Sequence, residues 1–278
     1  MARERAGHLG LVGAMGGMLT LGALLQAWDF WAGLGLSSVL LWGGAALLVA
    51  GAVGGRAWGR FLGLGAPSLG ALGAAALLGA AMAVVATALL NAVNAAYVRL
   101  GLTPPPPFPP VTAPATAVLG VVVLAPVAEE LFFRGSLLSA YGRGRSGVIA
   151  TAVLFGLAHL SLRSLVPLVL IGLVLGLLVR ETGSVFPAIV AHGLANGLSL
   201  AMTIALERGA LREASAAGCV RLGLFPAVLV LAWGAMRGGA LRAATGQEWR
   251  AARAVLGDWP LVTIYIMALI AFMMELSA

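Results

Sequence analysis

Two neighbouring carboxylates lie in an otherwise apolar stretch that reads Ala-Pro-Val-Ala-Glu129-Glu130-Leu-Phe-Phe-Arg134-Gly. Ionisable groups are costly in such surroundings, so each is a functional candidate by default. On a helix, Glu130 and Arg134 stand one turn apart on one face, where they can pair. Glu129 is turned about 100° from Glu130 and meets a different neighbour. Two carboxylates beside one cation leave one carboxylate without its own partner, free to act as a general base. Further along come Phe155-Gly-Leu-Ala-His159 and His192-Gly-Leu-Ala-Asn196. In each, the first and last residues share a helix face. Gly193, Ala195 and Gly197 are small enough to let another helix, or a substrate, come close.

These residue types suit several chemistries. A carboxylate base with His and Asn donors suits hydrolysis through activated water. His159, His192 and Glu129 together suit a zinc site. Against zinc stands the lack of His-Glu-x-x-His, the usual helix-borne signature of zinc proteases. Buried Glu and His also suit a proton relay in a transporter. Neither an internal repeat nor a second polar cluster supports that reading. Taken alone, a His on an apolar helix is more often a packing residue. Asn91 and Asn94 read as glue between helices, and Glu275 as a helix-end charge that reaches the membrane interface.

The elements that carry these groups must cross a bilayer. Of the 278 residues, 61% are hydrophobic and 10% charged, against about a quarter charged in soluble domains. Spans need roughly 20 apolar residues, and internal backbone hydrogen bonding leaves helices or closed barrels. Long Ala, Leu, Val and Gly runs, without the alternation of barrel strands, predict an all-α polytopic membrane bundle of eight or nine transmembrane helices. The predicted spans are 9–27, 30–54, 69–97, 113–140, 147–161, 164–180, 184–205, 219–236 and 259–276. The fifth and sixth also fit one broken helix. The first run has no small-x-small cleavage site at its end and is read as a retained span. The lone Cys219 excludes an internal disulfide framework.

All 17 basic residues are arginine, and the formal net charge is +7. Because these charges sit between apolar runs, they read as topology signals rather than a nucleic-acid surface. With the N-terminus inside, eleven arginines fall on the cytoplasmic side and five outside, with Arg134 left within a span. The positive-inside rule therefore favours a cytoplasmic N-terminus. Two connectors stand out. Residues 103–110 form a proline-rich, extended link. Residues 237–257 carry arginines and Trp249, and fit either a helix lying on anionic lipid or a solvated basic loop. On this topology Glu129 lies roughly 16 Å from the cytoplasmic end of its span, His159 and Asn196 about 18 Å, and His192 about 12 Å. Three helices thus bring their rare polar groups to similar depth.

Glu129-Glu130-x-x-x-Arg134, Phe155-x-x-x-His159 and His192-x-x-x-Asn196, in that order on successive spans, resemble the three motifs of the CPBP intramembrane proteases. This family includes the type II CAAX prenyl endopeptidases and many bacterial relatives. The resemblance covers about 113–205 and implies a catalytic core there. Residues 1–110 form an N-terminal three-span block and 206–278 the C-terminal spans. It implies that Glu129 activates water with help from His159, and that His192 and Asn196 form an oxyanion hole. Glu130, Arg134 and Phe155 would hold the site in shape. No cofactor is implied, with zinc as the alternative. The expected partners are the lipid bilayer and a membrane or lipid-anchored protein substrate. Some relatives are associated with protection against bacteriocins, so a non-catalytic immunity or binding protein is the alternative of another class. The resemblance implies a bacterial member in the inner membrane, and the lysine-free, Ala-, Gly- and Arg-rich composition reads as the codon bias of a GC-rich genome.

Overall fold

The computed structural model describes residues 2–103, 109–237 and 246–277. The centre of the proline-rich connector (104–108), residues 238–245 with Arg242, and the Trp249 side chain lie outside this description. The protein is 86% helical, and no strand occurs among the described residues. Among the described residues, seven helices are long and apolar enough to cross a membrane. These are α1 (Ala2–Trp28), α2 (Phe30–Leu62), α3 (Leu69–Arg99), α4 (Pro114–Ala140), α6 (Leu162–Thr182), α7 (Phe186–Glu207) and α10 (Pro260–Ser277). Between them lie α5 (Arg145–Ala158), α8 (Glu213–Arg237) and α9 (Gly246–Leu256). A polytopic helical membrane bundle is therefore the architecture, as the apolar runs predict. Its outer surface agrees: Leu48, Leu69, Leu222 and Phe225 are all more than 70% exposed. So much large apolar surface is at home in lipid rather than water.

Short connections make successive helices antiparallel. Asp29 breaks the first pair and caps α2, its Oδ1 accepting from the Ala32 N–H at 2.8 Å. The turns that join alternate helices then meet at two ends. At one end, Arg143 between α4 and α5 donates to the carbonyls of Phe61 (2.8 Å) and Gly183 (3.2 Å). Its neighbour Ser184 donates to the Gly65 carbonyl at 2.7 Å. At the same end His8 Nδ1 meets Asp258 at 2.7 Å, a contact that holds the Asp258 carboxyl below the usual carboxylate range. At the other end, Glu207 accepts from the Val111 N–H at 3.0 Å, closing α7 onto the start of α4.

Between the ends, glycines set how closely the helices approach. α5 and α6 form a hairpin of two packed helices rather than one broken helix. A Cβ on Gly172 would stand 2.9 Å from the Ala152 Cα, and one on Gly176 would meet Val148 at the same distance. The α3–α7 crossing is tighter still, since a Cβ on Gly79 would lie 2.5 Å from the Ala191 carbonyl oxygen. The segment 246–256 is helical, as one of the two readings of the basic connector requires. Ala252 is buried, whereas Arg250 and Arg253 are exposed.

The Gly79 crossing generates a paired test. Gly79→Ala forces two backbones apart and is expected to cost about 1–3 kcal/mol. Gly73→Ala, on the same helix with open space around it, is expected to be neutral or stabilising by up to about 1 kcal/mol. Thermal unfolding of the two variants in detergent checks the order.

Candidate active site

The site is built on α4, whose helix is irregular where the chemistry lies. Two π-helical stretches, Val118–Leu124 and Leu131–Leu137, flank the α-helical turns Ala125–Glu130. Such wide turns are frequent at functional sites because they re-aim side chains and free backbone groups. Here the cause can be traced. The Ala125 N–H bonds the Gly120 carbonyl, five residues back. The next donor would come from Pro126, which has no N–H. The Val121 carbonyl therefore lacks both of its possible helical partners. Asn196 of α7 supplies one, its Nδ2 donating to Val121 O at 3.0 Å. Gly193, one turn earlier on α7, lets this happen, since a Cβ there would stand 2.8 Å from the Val122 carbonyl oxygen.

The wide turn after Glu130 keeps the expected ion pair. Arg134 Nη1 donates to Glu130 Oε1 at 2.9 Å, and both side chains are fully buried. The same oxygen contacts His192 Nδ1 at 2.9 Å. Arg134 Nη2 continues to the Gly172 carbonyl of α6 at 3.3 Å. One carboxylate oxygen thus joins three helices. Because that oxygen accepts from the guanidinium, its contact with His192 assigns the ring's proton to Nδ1. His192 Nε2 then faces the other way. It stands 4.0 Å from Glu129 Oε2, too long for a hydrogen bond and suited to a bridging water. Glu129 is 13% exposed at its side chain, unlike the sealed Glu130.

Phe155 is the surface on which these groups are stacked. The Arg134 guanidinium lies 4.3 Å from its ring centroid, a cation–π contact. His159 and His192 rings stand edge-on to it at 4.7 and 5.8 Å. Behind it, Phe133, Phe132 and Trp42 extend the aromatic stack back to α2. Aromatic side chains at this density lock one another's rotamers, which fixes the polar groups they touch.

His159 is placed differently from the other candidates. The sequence puts it within a span, but α5 ends at Ala158, and His159 opens the turn to α6. With 14 residues α5 is shorter than the 21-residue α6 that follows the turn. Gly172 and Gly176 pack α6 closely against α5. His159 Nδ1 meets the Phe155 carbonyl at 2.8 Å. The proton belongs on Nδ1 there, because a carbonyl only accepts, so Nε2 is left as an open acceptor.

The structure thus brings Glu129, Glu130, Arg134, Phe155 and His192 together directly. His159 joins through the Phe155 ring, and Asn196 lies one turn beyond His192, turned toward α4. No three His, Cys, Asp or Glu side chains among the described residues are grouped to hold a metal ion. An apolar groove of about 360 Å³ opens between α4 and α7. Val122, Val127, Val190, Gly193 and Gly197 line it.

Spacing alone missed one participant. Glu275 reads from sequence as an interfacial charge, but its carboxylate turns inward. It accepts from the backbone N–H groups of Leu162 (2.9 Å) and Arg163 (2.8 Å) and from the Tyr97 hydroxyl (2.9 Å). Three donors converge on it, which satisfies the carboxylate better than the interface would. Only its place at the end of an apolar helix signalled anything in the sequence.

A helical membrane protein with a sealed ion pair beside a partly open carboxylate is the class that fold and site define. The comparison with known families agrees. Residues 111–198 match the family described as type II CAAX prenyl endopeptidase Rce1-like. That segment, just under a third of the chain, holds all three motifs and is Rce1-like; the family is one of proteases. No curated protein and no solved structure matches the chain.

The shared Glu130 oxygen makes its partners interdependent. Arg134→Met leaves the buried Glu130 with less compensation and is expected to cost about 3–5 kcal/mol. Adding Glu130→Gln should recover part of that loss, because the unpaired charge is gone. Denaturation of the single and double variants in mild detergent measures the coupling. Equal losses in both would contradict the pairing.

Proposed function

We propose that the protein is an intramembrane endopeptidase in which Glu129 activates water against a peptide bond. The observation that carries this reading is the inequality of the two glutamates. Glu130 is committed to Arg134 and His192, whereas Glu129 is partly open and faces His192 Nε2 across 4.0 Å. A water held there loses a proton to Glu129 as its oxygen attacks the carbonyl carbon. The tetrahedral intermediate collapses when the C–N bond breaks, and Glu129 returns the proton to the departing amine. His159, with Nε2 open, assists by accepting from the water.

The developing oxyanion needs donors. Asn196 has a second amide N–H beyond the one given to Val121. His192 has its Nδ1 proton occupied by Glu130, so it donates through Nε2 only as the imidazolium. Glu130 offsets that charge, which makes the sealed ion pair a support for the donor as well as for the fold. The apolar groove between α4 and α7, the helices that carry Glu129 and His192, is suited to the hydrocarbon of a membrane-anchored substrate. The family resemblance supports a substrate of the CAAX type, a peptide ending in a prenylated cysteine motif.

Cleavage of a farnesylated, internally quenched CAAX peptide by the purified protein tests the mechanism. Glu129→Gln is expected to lower kcat by about 10²–10⁴-fold while leaving thermal unfolding unchanged. Full activity in that variant would refute the role of Glu129. Activity lost in strong chelator and restored by zinc would instead support the metal reading. Comparison of protein C-termini between cells with wild type and with Glu129→Gln identifies the natural substrate.

A further inference from the structure

The turn that carries His159 is held from outside the Rce1-like segment. His159 caps the end of α5, and Leu160 follows with φ of +51°, a left-handed conformation uncommon for a residue with a side chain. Ser161 then caps α6, accepting from the Ser164 N–H at 3.3 Å. The next two backbone donors, Leu162 and Arg163, have no partner within α6, as at any helix start. Both are taken by the Glu275 carboxylate of α10, at 2.9 and 2.8 Å. Tyr97 of α3 fixes the same carboxylate at 2.9 Å. An anionic cap at a helix N-terminus is favoured by the helix dipole and by charge-assisted hydrogen bonds.

We infer that Glu275 is a positioning residue for His159. By anchoring the start of α6, the Glu275–Tyr97 pair holds Leu160 in its left-handed conformation and fixes the direction of the His159 ring. The His159 ring itself is tied to the Phe155 carbonyl of its own helix. That bond sets the ring's tautomer but not the path of the turn. The C-terminal span and the N-terminal block therefore both contribute to a site whose motifs lie elsewhere. The catalytic consequence rests on the proposed role of His159.

Glu275→Gln is the discriminating change. The amide keeps one oxygen for Arg163 and Tyr97 but sets an N–H₂ group against the Leu162 N–H. Hydrogen exchange of the Leu162 and Arg163 amides should speed up roughly tenfold, with exchange in α4 and α7 unchanged. Tyr97→Phe should produce a smaller change at the same amides. On the farnesylated peptide, kcat for Glu275→Gln should fall on the order of ten- to a hundredfold, with KM within twofold. In a His159→Ala background the same substitution should have no further effect on kcat. Unchanged exchange at Leu162 and Arg163 would overturn the inference, as would an equal kcat loss in both backgrounds. A Glu129→Gln protein that still cleaves would overturn the glutamate mechanism instead, with the exchange result standing.

Discussion

A single carboxylate oxygen, Glu130 Oε1, takes both the Arg134 guanidinium and the His192 imidazole at 2.9 Å. Fully buried charges are tolerated only when paired and hydrogen-bonded. That requirement ties α4, α6 and α7 together at one point and dictates the protonation of His192. It also determines which glutamate is left over. Adjacent in sequence, Glu129 and Glu130 differ because a helix turns about 100° per residue. One faces the guanidinium and is sealed; the other faces His192 Nε2 and stays partly open.

The surrounding helices serve that arrangement. α4 can present both glutamates and still satisfy its backbone because its wide turns and Pro126 release the Val121 carbonyl to Asn196. Gly193 and Gly172 let α7 and α6 come close enough to reach the site. The aromatic stack from Trp42 to Phe155 fills the space behind the ions. Arg134 over Phe155 shows how the two layers depend on one another, since the ring face stabilises a cation that also needs Glu130.

Much of this was legible in the residues. Long apolar runs give helix positions directly, because lipid forces each span to satisfy its own backbone. The 30–54, 69–97 and 113–140 runs correspond to α2, α3 and α4, although α2 extends to Leu62. The Glu130–Arg134 pair was readable because both residues lie on one helix, where spacing is geometry. His159 was harder. Its apolar neighbours extend the hydropathy past Ala158, yet the helix stops there because the turn is held by tertiary contacts. Glu275 was harder still. Its partners are 113 and 178 residues away in sequence, and no local pattern encodes such a meeting. Asn196 was legible as a polar group on the right face, but not its bond to a carbonyl freed by a wide turn on another helix.

The state of the His192 ring tests the division between the two glutamates most directly. In ¹⁵N-histidine-labelled protein, the three imidazoles can be assigned by substitution and followed by NMR. The account predicts that His192 keeps its Nδ1 proton in wild type and in Glu129→Gln, and that Glu130→Gln shifts this Nδ1 signal strongly. A His192 Nδ1 signal that ignores Glu130→Gln but changes with Glu129→Gln would reverse the roles of the two carboxylates and contradict the account.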